Sequence, residues 1–210
     1  MKIAYSDLDI SFTIDGVEFS VPHIVFERFT RTIPSHSHGE GCFEIHYIPF
    51  GYGKLVTGGQ YYDITPNTLY ITGPHVEHAQ FPLLYNPMQE YCVYLKSKKF
   101  NRKTTSPLMK AFFSTPFWFG KDNHGVHVLM KQIFKELENK FTGYQKQVEL
   151  LLAQLLICLI RNYDMKKCTR DELSPGNLID SNSIIIEEYF LYEYDNLSLN
   201  VLADRLKLSP

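Results

Sequence analysis

The chain has 210 residues, of which 44% are hydrophobic and 21% charged, with a formal net charge of −2. This is the balance of a globular protein with room for one good core and a smaller appendage. It lacks the basic field of a free-standing nucleic-acid binder, although a basic reading surface can lie elsewhere in a longer protein.

Residues before Val17 are weakly patterned and read as an arm or an edge strand. Segments 17–20, 23–33, 42–49, 54–57, 60–64, 68–72, 76–81 and 89–96 are rich in β-branched and aromatic residues, with turn residues such as Gly16, Pro22, Pro34, Gly58-Gly59 and Pro66-Asn67 between them. Many short strands at close spacing imply an antiparallel sandwich or barrel. Residues 96–103 are basic and read as a solvated loop. Helical periodicity follows. Over 127–141, Met130, Phe134, Leu137 and Phe141 form one stripe, and Gly143 stops the helix. A second helix covers 144–163, with Val148, Leu151, Leu152, Leu155, Leu156, Leu159, Ile160 and Tyr163 on one stripe and Leu150, Ala153 and Ile157 widening it. A helix apolar nearly all round needs cover on more than one side. A barrel covers one side. For the other, a symmetric copy is expected, giving a homodimer through Val148, Leu152, Leu155, Leu156, Leu159 and Tyr163; the alternative is a helix fully buried in one chain. The polar stretch 164–181, with Ser174-Pro175-Gly176-Asn177, reads as an interdomain linker. The cysteines Cys42, Cys92, Cys158 and Cys168 show no metal-ligand spacing and read as free thiols of a reducing cytoplasm. No apolar signal core opens the chain, and the run 150–160 is too short and too amphipathic to span a membrane, so a cytoplasmic protein with no membrane partner is expected.

In the tail, Ser183 caps a helix carrying Ile184, Ile185, Tyr189 and Tyr192, Ser198 caps a second with Leu199, Leu202, Ala203 and Leu206 inward, and Ser209-Pro210 opens a third. This is how a helix-turn-helix begins. The run Leu197, Ser198, Leu199, Leu202, Ala203, Leu206, Leu208, Ser209, Pro210 resembles the start of the DNA-binding domain of AraC-type (AraC/XylS) transcription regulators. The resemblance implies a recognition helix beginning at Ser209, DNA binding by the full-length protein rather than by this chain, and a DNA-binding domain cut off as it begins.

His36-Ser37-His38 followed by Glu44, and Gly51 beyond it, resembles the first cupin motif; residues 66–78, ending in His78, resemble the second, with Asn67 where the family has glycine. Residues two apart on a strand share a face, so His36 with His38 and Glu44 with His46 point together. Parity puts Cys42, Glu44, His46 and Ile48 inward. The resemblance implies a barrel holding a small-molecule effector, a sugar being one candidate, through His36, His38, Glu44, His46 and His78, with no cofactor and no catalytic residue. Its alternative is a metal-dependent dioxygenase or isomerase with His36, His38, Glu44 and His78 as ligands. Tyr47, Tyr61, Tyr62, Tyr70 and Phe81 either line the pocket or pack outside it, and Arg28 and Arg31 are candidates for a carboxylate effector. His75 reads as a turn residue, His124 and His127 as structural, and His23 has no visible partner.

The expected fold is α+β: a cupin-like antiparallel β-barrel of jelly-roll type (1–100), a helical connector and dimerisation hairpin (101–163), the linker (164–181) and the first helices of a helix-turn-helix domain (182–210). Effector binding in the barrel would reorder the arm or the helix pair and so move the DNA-binding domain.

Overall fold

The computed structural model describes residues 2–98 and 106–163, with positions 198, 200, 201 and 203 near the end. The chain divides into two compact units, Met1–Met165 and Lys166–Pro210. In the second, Asn200, Val201 and Ala203 are helical. The linker, the first tail helix and the segment around Ser209 lie outside the described residues.

Eleven strands precede or interleave with three helices in the described part of the first unit. They are β1 (Lys2–Ser6), β2 (Ser11–Ile14), β3 (Val17–Arg28), β4 (Ile33–His36), β5 (Cys42–Phe50), β6 (Gly53–Thr57), β7 (Gln60–Ile64), β8 (Thr68–Thr72), β9 (His78–Pro82), β10 (Gln89–Ser97) and β11 (Phe117–Lys121), with α1 (Pro107–Ser114), α2 (Val126–Asn139) and α3 (Tyr144–Tyr163). One sheet runs β1-β3-β10-β5-β8-β11, with β2 also on β3; the other runs β4-β9-β6-β7. Every pairing between these strands is antiparallel. This is the antiparallel β-domain followed by helices that the strand pattern and helical periodicity imply.

The segment before Val17 is an edge: β1 and β2 both pair with β3. Pro22 does not break the strand as expected. It sits where β3 and β10 shift register between Tyr94 and Lys96, a bulge that needs no ladder bond from it. After Arg28 the chain leaves the first sheet and returns as β4 in the second, so the expected 23–33 strand is two elements. Strand β11 and helix α1, within a stretch read only as connector, are additions. Ser106 caps α1 by accepting from the Met109 amide, and Pro107 sits in its first turn.

All nine residues of β5 are buried because the first sheet is covered on both faces. On one face Phe112 of α1 meets Phe43 (4.6 Å) and Phe19 (5.7 Å), Phe134 of α2 meets Tyr91 (5.2 Å), and His127 stacks on Tyr47 (5.1 Å). The other face looks into the barrel. Residues 1–100 and 101–163 therefore form one unit, since the sheet's apolar back has to be covered. Helix α3 packs on α2, α1, β2 and β11. Val148, Leu152, Leu155, Leu156 and Leu159, expected to face a partner copy, are all 1% exposed or less, inside a single chain. Tyr163 is half-buried and meets Trp118 at 5.5 Å. The cover the helix needs on its second side comes from α2 and the short elements the sequence reading passed over. What α3 and α2 leave outside is Leu150 and Val128.

Candidate functional site

Strand register builds the site. On the inner face of the first sheet, His23, Tyr94, Glu44, Thr72 and Phe117 lie opposite one another across β3, β10, β5, β8 and β11. The next rung inward is Val25, Cys92, His46, Tyr70 and Phe119. On the second sheet, His36 pairs with His78, and His78 with Thr57. The two sheets face each other, so His36 and His78 meet Glu44 across the barrel. Below them the interior is filled by Phe29, Ile48, Leu55, Ile64, Tyr70 and Met88, with Tyr62, Phe117 and Phe119 packed against them. Ionisable residues are thus gathered at one end of an otherwise apolar interior.

The sequence-derived residues come together. His36, His38, Glu44 and His78 each place a ligand-type atom within 4.8 Å of the others. Glu44 Oε2 lies 2.9 Å from His38 Nε2, 3.3 Å from His78 Nε2 and 3.5 Å from His46 Nε2. The His36 ring is 4.2 Å from that of His78 and 5.3 Å from that of His38. The inward parity of Glu44, His46 and Ile48 holds. Two of the imidazoles are oriented by backbone: His36 Nδ1 lies 2.9 Å from the Pro34 carbonyl, and His78 Nδ1 3.0 Å from that of Val76. A carbonyl only accepts, so Nδ1 carries the proton in both and Nε2 is left with the lone pair in the neutral ring. His38 Nε2, His78 Nε2 and Glu44 Oε2 are buried atoms whose close approaches have the wrong angles for hydrogen bonds. Buried polar atoms without partners are costly, and three converging on one place are the arrangement a metal ligand set presents.

His46 belongs to a second layer that pattern reasoning did not separate from the first. Its Nδ1 donates to Glu90 Oε1 (3.1 Å), its ring stacks on Tyr70 (4.4 Å), and its Nε2 also lies 3.5 Å from Thr72 Oγ1. The Tyr70 hydroxyl donates to Glu90 Oε2 (3.2 Å), and Gln80 Nε2 donates to both Glu90 Oε2 and the Tyr70 oxygen. Glu90, Gln80 and Tyr70 were missed as a group. The one available signal was a charged or amide residue inside an apolar strand.

Burial alone would push Glu44 up, but the close approach of His46 and His78 and the charges of His46 and His38 outweigh it and hold the carboxyl well below its usual range. Burial alone would push His46 down; Tyr70, Cys92 and Glu90 outweigh it and hold the imidazole well above its usual range. Burial raises the Tyr70 phenol and pushes the Cys92 thiol up to about 12. Glu44, His46 and Cys92 also stand close enough to share an ion, but a thiol held protonated is a poor ligand, and the outer group of three imidazoles and one carboxylate fits better.

His23 has a partner after all: it stacks on Tyr94 (4.9 Å), which meets His38 edge-on (5.1 Å). His75 is a turn residue (φ 62°), Asp122 accepts from the amides of His124 and His127, and Cys42, Cys92 and Cys158 are buried free thiols. Among the tyrosines, Tyr70 lines the interior, Tyr62 borders it, Tyr47 faces the helices, and Tyr61 and Phe81 are exposed. Arg28 ends β3 and Arg31 follows it in the chain, 4.0 Å from Glu27. A surface groove is lined by Ser35, Thr57, Gly58, His75 and Glu77; Ser35 and Glu77 are the chain neighbours of His36 and His78.

Fold and site define a β-rich, cupin-like domain followed by helices. The chain belongs to the AraC-like ligand binding domain family, whose model matches residues 23–160. It is similar to YhaK from Escherichia coli (10% identity over 60% of this chain and 52% of that one, TM-score 0.41), so it spans about half of that protein. It is also similar to a cupin protein from Bacteroides fragilis (17% identity, 50% of this chain and 86% of that one, TM-score 0.36) and to a predicted oxalate decarboxylase from Thermotoga maritima (17%, 45% and 91%, TM-score 0.32). No curated protein matches. No described helix is long and apolar enough to cross a membrane.

Proposed function

We propose that this chain is the effector-sensing portion of a DNA-binding transcription regulator, a binder rather than an enzyme, with the effector held at the polar end of the barrel by His36, His38, Glu44 and His78. The single observation that carries this is the gathering of those four residues in a domain of the AraC-like ligand binding family. Occupation there pulls on β5, whose outer face carries α1 and α2, and so biases the helices that precede residues 164–210. Self-association, if the regulator is a dimer, uses the outer stripe of α3 around Leu150 rather than the buried one.

A thermal-melt panel of sugars, small carboxylates and aromatic metabolites tests this. An effector at about 100 times its Kd adds roughly 2.7 kcal/mol, several degrees for a domain of this size. His38→Ala is expected to abolish that shift. Failure of every compound to move the melt would sink the reading.

His38 Nε2, His78 Nε2 and Glu44 Oε2, which lack hydrogen bonds, favour a second reading, in which the same end holds a divalent metal. His36, His38, Glu44 and His78 would be its ligands, and the metal would supply a Lewis acid for an oxygen-bearing effector or substrate. Metal content of purified protein, against a His36→Ala, His78→Ala double variant, separates the two. Stoichiometric metal lost in the variant supports the second; no metal in either favours a metal-free effector site.

A further inference from the structure

We propose that His46 and Glu90 are positioning residues for Glu44, forming a fixed line, Glu44–His46–Glu90, that sets how tightly the outer cluster holds a divalent cation. This rests on the metal-holding reading of the site.

His46 shares a face with Glu44, two residues along β5, and sequence pattern alone would make it a fifth ligand. Its surroundings argue otherwise. Nδ1 is committed to Glu90, and Nε2 is turned toward Glu44 Oε2 and Thr72 Oγ1. The ring is held flat on Tyr70, with 11° between the planes. His46 is not one of the four residues whose ligand-type atoms all lie within 4.8 Å of one another.

Glu90 is fixed in turn from two directions, by the Tyr70 hydroxyl from β8 and the Gln80 amide from β9. His46, Gln80 and Glu90 are each 3% exposed and Tyr70 is fully buried. Packed, hydrogen-bonded networks of this kind rigidify the side chains they join. A buried carboxylate at Glu90 needs something of opposite character facing it, and His46 is what faces it. The consequence falls on Glu44. Its Oε2 is kept among His38, His78 and His46 instead of turning to solvent, so the carboxylate is already placed when a cation arrives. Outer residues that orient a ligand set are typically worth about 10- to 100-fold in metal affinity. His46 and Glu90 have that geometry, through a carboxylate ligand rather than through a histidine ligand.

The experiment is Co(II) binding to purified chain, followed by competition with a fluorescent chelator and by the visible d–d absorption of the bound ion. His46→Gln and Glu90→Gln are expected to weaken Co(II) by about 10- to 100-fold and to shift the d–d bands, while far-ultraviolet circular dichroism of the metal-free proteins stays as in the wild type. Glu90→Asp, which keeps the carboxylate, is expected to recover part of the affinity. His38→Ala, a direct ligand loss, is expected to remove tight binding. Wild-type affinity and spectrum in both His46→Gln and Glu90→Gln would overturn the assignment. Should either fail to fold, Tyr70→Phe removes one donor to Glu90 without touching Glu44; weakened binding with shifted bands supports the line, and unchanged binding overturns it. A wild-type protein that binds Co(II) no better than His38→Ala would overturn the metal reading itself, and this inference with it.

Discussion

Gly51 and Asn67 mark where single residues decide whether the barrel closes. Gly51 has φ of 85°, and a Cβ there would stand 2.3 Å from the Pro87 carbonyl oxygen. Backbone, not a flexible side chain, would have to move. Gly51→Ala is therefore expected to cost more than about 2 kcal/mol, combining the left-handed penalty with overpacking, read as a lower urea midpoint with unchanged slope. Asn67, which stands where the cupin pattern has glycine, adopts the glycine-like φ of 64° and uses its amide as well: Oδ1 accepts from the Tyr47 hydroxyl (3.1 Å) and Nδ2 donates to the Asp122 carbonyl (2.9 Å). Asparagine tolerates that conformation, so the departure from pattern leaves the turn intact. His36, His38, Glu44 and His78 were legible because strand alternation and motif spacing are local properties of sequence. Glu90, Gln80 and Tyr70 were not, because their meeting depends on the register of three strands from two sheets, which no local spacing encodes.

At the scale of elements, α3 shows what an apolar stripe does and does not say. Periodicity located the helix over about 144–163, yet the stripe's partner could not be read from it. Burial is a demand for cover, and cover from within the chain looks the same in sequence as cover from a copy. The deciding elements, α1 and β11, are only 8 and 5 residues long, too short for a period to declare itself. The Ser106-Pro107 cap and the aromatic run Phe117-Trp118-Phe119 were their available signals. Leu156 is fully buried, so Leu156→Ala is expected to destabilise the domain by about 2–5 kcal/mol in chemical denaturation, with no dependence on protein concentration. Leu150, 59% exposed, is the position for the opposite test. Leu150→Glu is expected to leave the melting temperature within a degree or two and, if the chain self-associates through this face, to lower the mass seen by light scattering. A concentration-dependent melt for Leu156→Ala would return the inner stripe to an interface role.

For the whole domain, the buried charges of the two layers predict how stability responds to pH in chelator-treated protein. Glu44 has a folded-state pKa below its ordinary value of 4.5, so it contributes stability that is present above pH 4.5 and is lost as the pH falls below it. His46 has a folded-state pKa above its ordinary 6.5, so its contribution is complete below pH 6.5 and is lost as the pH rises toward its raised value. The two limbs leave a maximum between about pH 4.5 and 6.5, acid of the range where many domains are most stable. His46→Gln removes one charge of the pair and with it the alkaline limb, and it weakens the acid limb because Glu44 loses a stabilising neighbour. Melting temperatures of wild type and His46→Gln across pH 3.5 to 9 should therefore differ most in the middle and draw closer toward each end. A difference constant with pH would mean that His46 acts by packing on Tyr70 alone, and that the Glu44–His46–Glu90 line carries no charge coupling between the mouth of the barrel and its core.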